Sequence, residues 1–160
     1  MAQDDTFISH ILLPADGSEG GLRAAEFAGR MARVFGAHVT VLIVHDLDVY
    51  ALHAEGLVAW PGISGLSAIS RDEIESQVTE RVSQPVFEKT LDALGKLAEP
   101  AACHEMWGQV AEAICDYAKT EHCDLIVMGS RGRSAFTSLL LGSTSLQVLH
   151  HAEVPVTIVR

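Results

Sequence analysis

Two glycine turns rich in hydrogen-bond donors stand near the carboxyl end of the chain: Gly129-Ser130-Arg131-Gly132 and, after nine intervening residues, Gly142-Ser143-Thr144-Ser145. An apolar run, Leu125-Ile126-Val127-Met128, leads into the first of them. Glycine lets the backbone come close to a polyphosphate, and successive N–H groups then form a concave anion site. The hydroxyls and the Arg131 guanidinium can add charge-assisted hydrogen bonds. The chemistry suggested is the cradling of phosphate. Two common phosphate motifs are absent, since no G-x-x-x-x-G-K-[ST] occurs and no G-x-G-x-x-G follows the first apolar run.

Such turns need rigid elements to hold them. Phe7 to Leu13 reads as a buried strand stopped by Pro14-Ala15-Asp16-Gly17. Ser18 and Glu19 start a helix whose apolar stripe runs through Leu22, Ala25, Phe27, Ala28, Met31, Ala32 and Phe35 and closes at Gly36. Val39 to Val44 is continuously apolar and β-branched, as in a strand covered on both faces. Leu47 to Ser70 has no regular period and could cover a site. Helical spacing returns from Arg71 to Leu97, where Pro85 should bend the helix or divide it. A strand at Ala102 to Trp107, a helix from Val110, and the strand before Gly129 follow. Thr144 and Gln147 have capping-box spacing for a last helix through Leu149, and Val154 to Val159 forms the last strand.

Five strands alternating with helices predict an α/β fold with a doubly wound parallel sheet, in one domain spanning 1–160. A chain of this length buries about 70% of the surface its unfolded form exposes, enough for a core without staples. Pro155 places the last strand at an edge, because proline donates nothing to a central ladder. An apolar edge is covered most economically by another copy of itself, so a homodimer through Val154 to Val159 is expected. Ligands in open α/β sheets bind beyond the carboxyl ends of the strands, where strand order reverses. If the first strand lies beside the fourth, the turn at Asp16 meets the turn at Gly129, and the last helix aims its N–H groups at the same place.

The formal charge of −10 excludes a broad basic face for nucleic acid. The start of the chain lacks the pattern of a secretory signal, and no apolar run has the length of a membrane span. Cys103, Cys115 and Cys123 form no C-x-x-C pair, which fits a reducing cytoplasm, and Cys103 and Cys115 read as packed thiols. The eight histidines show no metal-ligand spacing.

The spacing Gly129-x2-Gly132-x9-Gly142-Ser143 resembles the ATP-binding signature of the universal stress protein family. Ile11 to Ser18 resembles the family's opening strand and turn, Gly108 to Ile114 its third helix entry, Asp124 to Arg133 its most regular segment, and His151 to Val159 its ending. The resemblance implies a flavodoxin-like, adenine nucleotide alpha-hydrolase-like fold with strand order 3-2-1-4-5, homodimerisation through the last strand, and ATP binding in the cytoplasm, with Mg²⁺ carried on the phosphates. By position it places Asp16 at the adenosine, Gly129, Arg131 and Gly132 at the ribose and phosphate turn, Gly142, Ser143, Thr144 and Ser145 at the phosphates, and Pro14, Ala15 and Met128 close by. Asp46 joins this set at the end of the second strand. There the family usually has an apolar residue whose backbone meets adenine, whereas this chain runs Val44-His45-Asp46-Leu47. Asp16 could instead shape its turn or cap the first helix. The function implied is a nucleotide-dependent stress regulator that binds rather than turns over ATP and acts on an unknown protein partner. A dimeric interaction module that needs no nucleotide and a slow ATPase are the alternatives.

Overall fold

The computed structural model describes residues 8–46, 71–97, 99–132 and 141–160. In chain order these form β1 (His10–Pro14), α1 (Glu19–Phe35), β2 (His38–Asp46), α2 (Arg71–Val78), a π-helical turn (Thr79–Ser83), α3 (Gln84–Leu94), β3 (Ala102–Gly108), α4 (Val110–Thr120), β4 (Leu125–Gly129), α5 (Ser143–His151) and β5 (Val156–Val159). The five strands make one sheet in the order β3-β2-β1-β4-β5, and every pairing is parallel. This is the expected doubly wound sheet with order 3-2-1-4-5.

Side-chain alternation explains why both faces are covered. Ile11 and Leu13 of β1, Val39 and Val41 of β2, and Leu125 and Val127 of β4 pack on one face against Ala24, Ala25, Ala28 and Ala32 of α1 and Leu94 of α3. Leu12, Leu42, Ile126 and Met128 pack on the other against Ile114 and Ala118 of α4 and Val148 of α5. Because strand residues point alternately up and down, a continuous apolar run feeds two cores at once. The small face of α1 permits close approach to α3. A Cβ on Gly29 would lie 2.1 Å from the Leu94 carbonyl oxygen, so only glycine fits there.

Helix ends follow local chemistry. Ser18 caps α1 by accepting from the Gly21 N–H, and Gly36 ends it with φ +68°. Pro85 does divide its helix. The widened turn at Thr79–Ser83 comes just before it, and the Gln84 N–H reaches back five residues to Thr79. Proline offers no N–H and its ring crowds the carbonyl four residues earlier, so a π turn is a natural relief.

Three expectations need correction. Thr144 and Gln147 form no capping box: Gly142 is the N-cap of α5 without any side-chain bond, which leaves Thr144 already inside the helix. The last strand begins at Val156, with Pro155 outside it, although the Pro155 carbonyl still accepts from the Ile126 N–H at 2.9 Å. Cys103 is exposed on the edge strand β3 rather than packed. Residues 47–70, Arg133 and 139–140 lie outside the described residues. Among the described residues, no helix is long and apolar enough to cross a membrane, and no group of His, Cys, Asp and Glu could hold a metal.

Candidate functional site

The strand order reverses at β1 and β4, which pair directly, and β2 and β4 flank β1. Beyond their carboxyl ends the chain builds a tightly stitched turn. Asp16 Oδ1 accepts from the Ser18 N–H at 2.9 Å, and Ala15 donates to the Leu42 carbonyl at 2.9 Å. Ser130 donates to Val159 of β5, and Gly142 donates to the Ser130 carbonyl, both at 2.8 Å. The Ser145 hydroxyl donates to the Gly129 carbonyl at 3.0 Å. Gly129 lies so close to α1 that a Cβ there would sit 2.6 Å from the Gly20 carbonyl carbon. Four elements, α1, β4, β5 and α5, thus hold residues 129–132 in one shape.

A cleft of about 110 Å³ opens beside this turn. Pro14, Ala15, Asp16, Met128, Gly129, Arg131, Gly132, Thr144 and Ser145 all line it, so nine of the residues singled out from sequence meet in one place. Its remaining wall is mostly apolar: Leu42 and Val44 from β2, Val110 and Ile114 from α4, with Gly21 from α1. These were missed as site residues. Their signal was present, since Leu42 and Val44 are two apart on a strand and Val110 and Ile114 four apart on a helix, but it reads equally as core. A Cβ on Gly132 would stand 2.7 Å from the Asp16 Oδ2.

Three expected residues stand elsewhere. Asp46 and Ser143 line a neighbouring hollow of about 640 Å³, which shares Val110 and Thr144 with the cleft and also has Glu112, Cys115, Asp116, Gln147 and His151. The pleat explains the displacement of Asp46, which lies one strand step beyond Val44 on the same face. Gly142 lines neither space, and its N–H bonds the Ser130 carbonyl.

His45, between Val44 and Asp46, points to the opposite face. Its Nε2–H donates to Glu105 Oε1 at 2.6 Å, and its ring packs on Trp107 at 4.6 Å between centroids. Ser83 donates to the same carboxylate oxygen at 2.6 Å, and Thr79 to the other at 3.0 Å. Burial opposes the Glu105 charge, but the bonds from His45, Ser83 and Thr79 hold its carboxyl below the usual range. Serine, histidine and glutamate here are no nucleophilic triad, because Ser83 is fully buried and both partners contact one carboxylate. The cluster fastens the π turn to the end of β2, behind the apolar wall of the cleft.

Known proteins are similar to this chain in sequence and in fold. The model of the universal stress protein family covers residues 8–160. A universal stress protein of Thermus aquaticus is 32% identical over 163 residues, covering 94% of this chain and 97% of that protein. The solved structure of MJ0577, a protein assigned its biochemical function from structure, superposes with a TM-score of 0.73 at 23% identity over 96% of both chains. Two other solved structures share the fold at lower similarity. One is a universal stress protein in complex with cAMP, with a TM-score of 0.60, 20% identity and coverage of 96% and 97% of the two chains. The other is a universal stress protein from Archaeoglobus fulgidus in complex with dAMP, with a TM-score of 0.53, 21% identity and coverage of 96% and 98%. With the family's pattern matched from residue 8 to residue 160, this chain belongs to the universal stress protein family.

Proposed function

We propose that the cleft between β1 and β4 binds an adenine nucleotide, ATP in the working state, and that binding rather than turnover is the functional event. The observation that carries this reading is the cleft's polarity. One end is apolar, from Leu42, Val44, Val110, Ile114 and Met128, and suits a flat base. The other end has the glycine turn, Arg131, Thr144 and the first turn of α5, and suits phosphates. The cleft's volume of about 110 Å³ is well below the roughly 300–1,000 Å³ of a site that swallows a whole ligand, so it suits the base alone, with the phosphates across the turn. The cAMP and dAMP complexes of two family members support an adenine nucleotide as the ligand class.

Asp16 has a structural task that argues against a catalytic base: its Oδ1 shapes the turn by accepting from Ser18. Mg²⁺ would arrive on the phosphates, since no group of side chains among the described residues could hold a metal by itself. The setting we infer is cytoplasmic, with a homodimer formed through β5, whose outer edge has no neighbouring strand among the described residues.

The test is to denature the purified protein, identify any released nucleotide by chromatography, and titrate the stripped protein with ATP, ADP and AMP in a calorimeter. Adenine nucleotide in the extract, or micromolar binding, is expected. Gly132→Val should weaken binding more than tenfold, since its side chain would displace Asp16. Protein that carries no nucleotide and gives no heat with any of the three would overturn the reading.

A further inference from the structure

The turn at residues 129–132 has a second side. On the face covered by α1, a hollow of about 300 Å³ is lined by Ser18, Glu19, Gly20, Arg23, Ser130, Arg131, Gly132 and Arg160. The whole chain has 11 lysines and arginines against 21 aspartates and glutamates, yet three arginines converge here. The fold makes them meet. The Ser130 N–H bonds the Val159 carbonyl at 2.8 Å, which sets Arg160 beside Arg131. Gly20 lets α1 approach until a Cβ would be 2.9 Å from the Arg131 carbonyl oxygen, which brings Arg23, one turn further along α1, to the same rim.

We propose that this hollow is an anion site for a single phosphate-type ion, separate from the nucleotide cleft. The guanidinium groups of Arg23 in α1 and of Arg160, the residue after β5, can grip the oxygens of a compact tetrahedral anion from two sides, while the Arg131 side chain serves the nucleotide cleft. In a chain of net charge −10, such a cluster is a local potential minimum for anions set in a field that repels them elsewhere. Glu19 is the one carboxylate side chain among the described lining residues. It meets Arg23 at 3.5 Å with its side chain 91% exposed, a solvated i,i+4 pair too weak to neutralise the cluster. These cations form too small a patch for a nucleic-acid backbone, which needs a long basic track. The neighbouring hollow off the cleft has the opposite character, with Asp46, Glu112 and Asp116 and no lysine or arginine among its described lining residues.

The experiment titrates the full chain with inorganic phosphate at constant ionic strength and follows backbone amide signals of Gly20, Ser130 and Arg160 by NMR, alone and with saturating ATP. Saturable shifts at all three are expected, unchanged by ATP. Arg23→Gln and Arg160→Gln, both at exposed positions, should each weaken phosphate about tenfold, the loss typical of one charge-assisted hydrogen bond. They should leave the calorimetric affinity for ATP within about twofold. Shifts that never saturate, or variants that bind phosphate like the parent, overturn the proposal. So does a loss of ATP affinity with AMP affinity unchanged in these variants, because the hollow would then seat the nucleotide's own terminal phosphate. A chain that binds phosphate here but no nucleotide supports this site and removes the nucleotide reading instead.

Discussion

The two ends of the sheet treat polar groups in opposite ways. At the amino ends of β1 and β2, polar groups satisfy one another. Asp124 Oδ2 accepts from the Ser9 N–H and the Ser9 hydroxyl at 2.8 Å and from the His10 N–H at 2.9 Å. Buried His10 donates from Nδ1 to the Glu121 carbonyl at 3.2 Å, so its neutral ring accepts from the Thr40 hydroxyl at Nε2, 2.9 Å away. The His38 ring stacks on it at 4.0 Å, and the Cys123 thiol beside it is pushed up to about 12, by burial first and then by Glu121 and Asp124. That end is closed. At the carboxyl ends, the hydrogen bonds instead hold a turn in place, and hollows remain on both sides of it. The contrast teaches that polarity near strand ends marks a site only where space survives beside it.

The comparison predicts that damage will separate by end. Gly129→Val should have the largest effect, because its side chain would collide with the Gly20 backbone, which cannot swing aside as a side chain can. A loss of about 3 kcal/mol in chemical denaturation is expected, with nucleotide binding lost as well. Asp124→Ala should act at the other end alone. Two of its three hydrogen bonds are solvent-exposed, so the expected loss is about 1 kcal/mol, with nucleotide affinity within about twofold of the parent. Equal damage to binding from both variants would dissolve the distinction between the ends.

The smallest effect is a pH dependence. Burial and the adjacent His38 lower the pKa of His10 from its ordinary 6.5, against the raising influence of Glu121 and Asp124. The unfolded chain therefore binds a proton at His10 more readily than the folded chain does. The stabilisation is complete above about 6.5 and declines as pH falls through that value toward the lowered folded one. Denaturation between pH 7.5 and 5.5 should show this decline in the parent and a flatter profile in His10→Gln. An unchanged slope would mean that the ring is not held neutral.

Much of this was legible along the chain because the signals are local. The Ser18 cap, the Gly36 stop and the helix division before Pro85 each depend on a few neighbouring residues. The Thr144 and Gln147 pattern misled for a related reason: a capping box specifies where a helix can start, but the bonds from Gly142 to Ser130 and from Ser145 to Gly129 set the start two residues earlier. Other features involve partners far apart. Asp124 with Ser9, His45 with Glu105 and Ser83, and Arg160 with Arg23 have no sequence spacing that announces them. The cleft's apolar wall was hidden differently, since Leu42 and Ile114 look like any core residue until a space is found beside them.

Sequence alone determined the alternation of strands and helices, because apolar periodicity and capping chemistry act within a few residues. It also determined the glycine turns, since only glycine tolerates the backbone contact that Gly129 makes with Gly20. Tertiary structure decided which side of each turn is open. Parallel pairing of β4 with both β1 and β5 places residues 129–132 between α1 and α5, leaving an apolar-walled cleft on one side and an arginine-lined hollow on the other. The physical reason is that burial and charge act through space, and chain separation gives no measure of that distance.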